Sequence, residues 1–219
     1  MKILYEDRYL VVCEKPAGVL SQPAGDKGGE DMTALLSAHF AAQGERATPH
    51  VVHRLDRATA GVMVYAKNPR AAARLSAAAQ GEGMQKVYLA VVEGVPTPLS
   101  GEMTDLLFFD RAKDKTYVVD RPRRGVKEAH LSYITEKTVT VDGLPLSLVR
   151  VTLGTGRTHQ IRAQFAARRL PLYGDARYGA KTRGRLGLFA VMLAFPHPVT
   201  GKPMTFTTET EGTPFDLFE

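Results

Sequence analysis

The chain has 219 residues, 44% hydrophobic and 24% charged, enough for a sizeable core in one large domain or two fused lobes. A single cysteine, Cys13, excludes a disulfide within the chain, and no apolar run approaches the ~20 residues of a membrane span. Net charge is +6 but unevenly placed: Arg150 to Arg185 holds nine bases against one acid, Asp175, and is +8, so the remainder is −2. A second basic knot, RPRRGVK, carries Arg121, Arg123, Arg124 and Lys127. Such concentration is the electrostatic footprint of a polyanion partner, although a merely solvated basic face has the same letters.

The first ten residues, MKILYEDRYL, carry charges every few positions and no apolar signal core, which reads as a cytoplasmic start. KILYEDRYLVVCEKP predicts two short strands around a charged turn, closed by Pro16. QPAGDKGGED is a flexible Gly-rich loop leading into DMTALLSAHFAA, where Leu35, Leu36, His39 and Phe40 have helical spacing. Val62 to Ala66 is apolar without alternation, a strand covered on both faces. Asn68 and Pro69 supply an N-cap and first-turn proline for RAAARLSAAAQ, ended by Gly81 and Gly83. KVYLAVVEG is a strand whose alternation puts Val87, Leu89 and Val91 on the core side and Lys86 with Tyr88 on the other. AHLSYITEKTVTV and PLSLVRVTLG flank Asp142-Gly143, a hairpin turn signal. GTGRTHQIRAQFAARRLP is a glycine loop feeding a helix that stops before Pro171, and VMLAFPHP and PMTFTTE are strands of the tail. Hairpins outnumber strand–helix–strand units, so the expectation is an α+β fold on a mostly antiparallel sheet, one domain over residues 1–219.

Several chemistries lack their letters. Cys13 has no partner cysteine for a zinc or deaminase motif, and no H-E-x-x-H or G-x-S-x-G occurs. GDARYGAKT approaches a phosphate loop, but Ala180 separates the glycine from the lysine and no clean strand precedes it. The working group of an enzyme here is therefore a carboxylate. Asp56, in VVHRLDRATAGVMVYAK, lies between Arg54 and Arg57 just ahead of the buried strand. A surface ion pair explains that pattern cheaply, and so does a functional acid on a loop. In GTGRTHQIR, the helix start beside Arg157 and His159 suits an anion. Arg162 borders the apolar stripe of Ile161 and Phe165 and needs a carboxylate if buried, which Asp56 would supply; two unrelated ion pairs are the alternative.

HRLDRATAG, then KVY, then GRTHQIR resemble, in order and spacing, the three motifs of the RluA-type pseudouridine synthases, and EKPAG, LPLYGDARYG and FPHPVTGKPMTF resemble further signatures of that family. The resemblance covers nearly the whole chain and is similar to the small members without an S4 domain. It implies the pseudouridine-synthase fold, a mixed sheet with flanking helices and a central RNA-binding cleft. It also implies isomerisation of a uridine in structured rRNA or tRNA, without cofactor or metal; separately from the resemblance, the expectation is a monomer that does not engage a membrane. Asp56 would match the nucleophilic aspartate, Tyr88 the tyrosine packed on the target base, Arg162 the arginine paired with the aspartate. Arg54 would fill the gap left by the flipped base, with His53, Arg57, Lys86, Arg157 and His159 as RNA or site-shaping contacts. The chain departs from the pattern at Gln164, where His is expected, at Phe189, where Leu-His-Ala is expected, and at Glu14, where Asn is expected. A non-catalytic RNA-binding or ribosome-assembly protein on the same fold is the alternative, and a nucleotide hydrolase is disfavoured by the broken phosphate loop.

Overall fold

The computed structural model describes residues 1–25 and 29–219, so the middle of the expected Gly-rich loop, Asp26 to Gly28, lies outside the described residues. Two units each build their own interior: Met1–Lys86 with Ala190–Glu209, and Val87–Phe189 with Thr210–Glu219.

In the first unit the strands are β1 (Lys2–Glu6), β2 (Leu10–Lys15), β3 (His50–Val51), β4 (Ala60–Ala66), β10 (Leu188–Pro196, from Ala190 on) and β11 (Pro203–Thr207). They run in the order β1-β2-β4-β10, with β3 on β4 and β11 on β10. Every residue of β4 is buried, as its unbroken apolar run predicts for a central strand. Gly61 opens that strand at φ +124°, and a Cβ there would stand 2.2 Å from the carbonyl oxygen of Ala190. Only glycine lets the β10 backbone come that close.

Two helices complete this unit. Helix α1 (Met32–Ala42) starts at Asp31, whose carboxylate accepts from the amides of Thr33 and Ala34, and it buries Met32, Leu36 and Phe40. Helix α2 (Pro69–Gln80) has the expected Asn68 cap, the proline in its first turn and Gly81 at its end. Its Ala71 and Leu75 pack on Leu10, Val12, Val62 and Val64.

In the second unit the order is β5 (Gln85–Glu93, from Val87 on), β9 (Leu144–Leu153), β8 (Val126–Val141), β6 (Ser100–Asp110) and β7 (Lys115–Val119). Strands β8 and β9 form the predicted hairpin, with Asp142 at φ +50° and Gly143 at φ +78°, the two left-handed residues that a tight turn between twisted strands requires. Helix α3 (Gln160–Ala167) packs across β6 and β7 through Ala163, Leu107, Ala129 and Val118. The fold class is α+β, as expected.

One expectation fails. The alternation read into KVYLAVVEG is not seen in the burial: Val87, Tyr88, Ala90, Val91, Val92 and Glu93 are all buried, while Leu89 is half-buried. The cause is the segment after Leu170, which runs beside β5 through Val91 N–H to Gly187 O (2.9 Å) and Tyr173 N–H to Val91 O (2.8 Å). Period-two reasoning presumes one wet face, and this strand has none.

Candidate active site

Asp56 belongs to the first unit, with His53, Arg54, Arg57 and Lys86; Tyr88, Arg157, His159 and Arg162 belong to the second. Asp56 itself is half-buried in the loop between β3 and β4. Its neighbour Leu55 is fixed by Ser21, whose hydroxyl donates to Leu55 O (2.8 Å) and accepts from Leu55 N–H (3.1 Å). On the other side, Thr59 N–H closes a turn onto Asp56 O (3.0 Å). The backbone carrying the acid is thus held from both directions.

Lys15, the lysine of EKPAG, has no role in the reading from sequence alone. Its side chain is fully buried, and Nζ donates to the carbonyls of Pro16 (2.8 Å), Val19 (2.7 Å) and Arg57 (3.3 Å). Burial pushes its ammonium down to about 8, and the negative charge of Asp56 works against that shift. A buried cation bonded to three neutral carbonyls is costly unless a carboxylate's field reaches it, and Asp56 supplies that field. The signal was available: a lysine directly after an apolar strand and before proline has little way out to water.

Arg57 braces the same turn, its Nε donating to Gly18 O (2.8 Å) while its own carbonyl accepts from Gly18 N–H (2.8 Å). Arg54 is exposed. His53 uses Nε2 to accept the Val64 amide (3.2 Å), one residue beyond the β3–β4 pairing. Burial first, then the charge of Lys86, pushes its imidazole down to about 3, so the ring is neutral and carries Nδ1–H. Its Nε2 is thereby committed to the β4 backbone. Lys86 is lowered by burial and donates to Ala79 O (3.4 Å).

In the second unit Arg162 is only 8% exposed and makes a two-pronged ion pair with Asp175, Nε to Oδ2 at 2.7 Å and Nη2 to Oδ1 at 2.9 Å. The sequence reading names Asp56 as the carboxylate for this arginine, and Asp175 is a carboxylate it does not consider. Asp175, the lone acid of the +8 stretch, was the overlooked signal. The guanidinium also lies over the ring of Tyr178 at 5.0 Å. The phenol of Tyr178 accepts the Thr116 amide (2.8 Å) and meets His159 Nδ1 at 3.1 Å, while the His159 ring is edge-on to Phe109. His159 sits at φ +52° ahead of α3 without a side-chain cap. Gln160 instead ties down the loop ahead of the helix: its Oε1 accepts Arg157 N–H (3.0 Å) and its Nε2 donates to His130 O (3.0 Å). Arg157 is exposed, its Nε on Glu128 O (3.0 Å), and Tyr88 is buried at 7% exposure.

The near-miss phosphate loop is closed to phosphate by its own unit. The amides of Lys181 and Thr182 donate to the buried carboxylate of Glu93 at 3.0 and 2.7 Å. The three departures from the family pattern also turn inward. Gln164 is fully buried on Asp105 and Met103 O, Phe189 packs on Phe215, and Glu14 accepts from Thr208 Oγ1. Among the described residues no group of three or more His, Cys, Asp or Glu side chains could hold a metal ion, and no helix is long and apolar enough to cross a membrane.

A family model described as RNA pseudouridylate synthase matches residues 9–167, which include the Asp56 loop, KVY and all of α3. The chain belongs to that family. It is 32% identical over 204 residues to the uncharacterized RNA pseudouridine synthase YhcT of Bacillus subtilis, covering 91% of this chain and 65% of that protein. It is 32% identical over 222 residues to the ribosomal large subunit pseudouridine synthase D of Vibrio cholerae, covering 94% and 66%. The chain therefore spans just under two thirds of these relatives. A solved structure, human RNA pseudouridylate synthase domain containing 4, shares the fold with a TM-score of 0.78 at 24% identity, covering 96% of this chain and 88% of that one.

Proposed function

We propose that this synthase-family chain isomerises a uridine of structured rRNA or tRNA to pseudouridine, with Asp56 as the essential acid, within a single catalytic domain. The observation that carries the reading is the Asp56 loop, whose backbone is fixed on both sides of a half-buried carboxylate by Ser21 and Thr59, inside the matched family segment. A base within folded RNA leaves the stack before chemistry on it begins. The N1–C1′ bond then breaks with Asp56 as partner to the sugar, the ring turns, and C5 bonds to C1′. C5 gives up its proton and N1 takes one up, so no water is consumed and no electrons are exchanged. One acid suffices, whereas glycoside hydrolysis uses two carboxylates flanking the bond. Tyr88 is assigned to the target base and Arg162 to the charge of the aspartate; the hold of Asp175 on Arg162 supports a guanidinium fixed in advance.

Tritium release from RNA labelled at uridine C5 tests the reading. Asp56→Asn is expected to abolish release while RNA binding persists. A variant that still turns over overturns the role of Asp56, and a wild type that binds RNA but releases no tritium from any cellular RNA points to a binding or assembly protein.

A further inference from the structure

The second basic knot has no part in the site above. It forms the link between β7 and β8, and β7 is the outermost strand of its sheet. The turn at the other end of β7 is basic as well. From Arg111 to Lys127 the chain carries seven bases, Arg111, Lys113, Lys115, Arg121, Arg123, Arg124 and Lys127, against Asp114 and Asp120, a net +5. All seven except the half-buried Lys115 are exposed.

The sheet between these two basic ends is two-faced. Leu107, Val118 and Ala129 point to α3, and Thr116 and Phe109 share their side, meeting Tyr178 and His159. Strict alternation puts Phe108 and Tyr117 on the opposite side. They are direct cross-strand partners, and both are half-buried. The Arg123 guanidinium lies 4.7 Å from the Phe108 ring centre, and Lys115 Nζ lies 5.5 Å from that of Tyr117. Gly125, at φ +87°, turns the basic link back alongside the Phe108 ring, which a Cβ there would meet at an ordinary contact distance of 3.6 Å. Glu128 shares this face beside Leu106, so the positive character gathers at the Phe108–Tyr117 end.

Half-buried aromatic rings on a sheet, each with a cation over it and basic groups at both ends, match what single-stranded nucleic acid uses. Bases stack on the rings regardless of sequence, and the backbone follows the positive rim. We propose that this face of β6, β7 and β8 is a platform for single-stranded RNA, with bases on Phe108 and Tyr117 and phosphates on the arginines and lysines flanking β7. The inference rests on the proposed RNA reading only for the identity of the polyanion. It adds a place where unpaired nucleotides of the substrate are held.

The test uses the full chain with two probes, a 12-nucleotide oligouridylate and a 12-base-pair RNA duplex, followed by fluorescence anisotropy. Phe108→Leu with Tyr117→Leu keeps apolar volume and removes the stacking faces. It is expected to weaken oligouridylate binding at least tenfold and duplex binding by less than twofold. Replacing Arg121, Arg123 and Arg124 by Gln is expected to lower the slope of log affinity against log salt by about 2, from ~0.7 per phosphate on a single strand. An independent readout avoids any folding defect: 4-thiouridine oligomers cross-linked to the wild type are expected to mark peptides within residues 106–119. Wild-type failure to bind oligouridylate, equal losses for both probes, or cross-links confined elsewhere overturns the platform. If tritium release is intact while the aromatic variant binds like wild type, the platform alone fails; if Phe108 and Tyr117 govern binding but no RNA releases tritium, the isomerase reading alone fails.

Discussion

The two basic stretches of this chain look alike as letters and differ as structure. Between Arg150 and Arg185, six of the nine bases are bonded within their own unit. Arg150, Arg162, Arg168 and Arg177 pair with Glu136, Asp175, Asp105 and Asp114, and Arg157 and Arg185 donate to the carbonyls of Glu128 and Glu211. Of the bases from Arg111 to Lys127, the one with an ion pair found among the described residues is Arg121, 3.9 Å from Asp120 with both almost fully exposed, and Asp114 of this stretch is taken by Arg177. Three outside acids, Asp105 of β6, Asp114 of the β6–β7 turn and Glu136 of β8, bring the +8 stretch to +5 and tie its bases into the unit, while the bases from Arg111 to Lys127 stay mostly exposed. Net charge per segment measures what must be balanced, and only the fold tells which segment is left to attract a polyanion.

The sharpest way to break that comparison is at its most buried pair. Asp175→Ala removes a two-pronged carboxylate from the Arg162 guanidinium in a site where both side chains are under 10% exposed, and losing one partner of such a pair costs about 3 kcal/mol of folding stability. Urea unfolding reads it. A loss under ~0.5 kcal/mol would mean that the Arg150–Arg185 stretch is not built into its unit as described.

Lys15 offers the same contrast in the first unit, a cation committed inward on three carbonyls. Its folded pKa, about 8, lies below the unfolded value of 10.5, so between these pH values the unfolded chain binds more protons and stability rises with pH. Relative to Lys15→Met, which has no such proton, the wild type should gain on the order of 2–3 kcal/mol from pH 8 to 10.5. A flat difference across that window in paired denaturant titrations would remove the buried ammonium from the account.

Much of this fold was legible because its local signals agree with one another. Asn68-Pro69 before α2, Asp142-Gly143 between β8 and β9, and the unbroken apolar run of β4 each carry a local physical cause, and each element formed where that cause placed it. The alternation of β5 was misread because its second covering layer comes from residues 171–187, too distant in sequence for a local pattern to reveal. At the site, Asp56 stood out as an acid among arginines. The same argument, not applied to Asp175, would have flagged it, since one carboxylate among nine bases has the same reason to be there. His53 shows the converse: its motif marks the position, but only the Val64 amide reveals that its ring is occupied as an acceptor.

The smallest expected effect separates the two stretches most directly. Arg150→Gln removes a base whose guanidinium is bonded to Glu136, a half-exposed pair worth about 0–1 kcal/mol. Stability should therefore change by less than ~1 kcal/mol. Arg150 already shares its charge with a carboxylate, so the salt dependence of oligouridylate binding should stay within error of wild type, whereas Arg124→Gln, on an exposed base, should lower the slope by about 0.7. Equal slope changes in the two variants would mean that bonded and exposed bases attract RNA alike, and the distinction drawn between the stretches would fall.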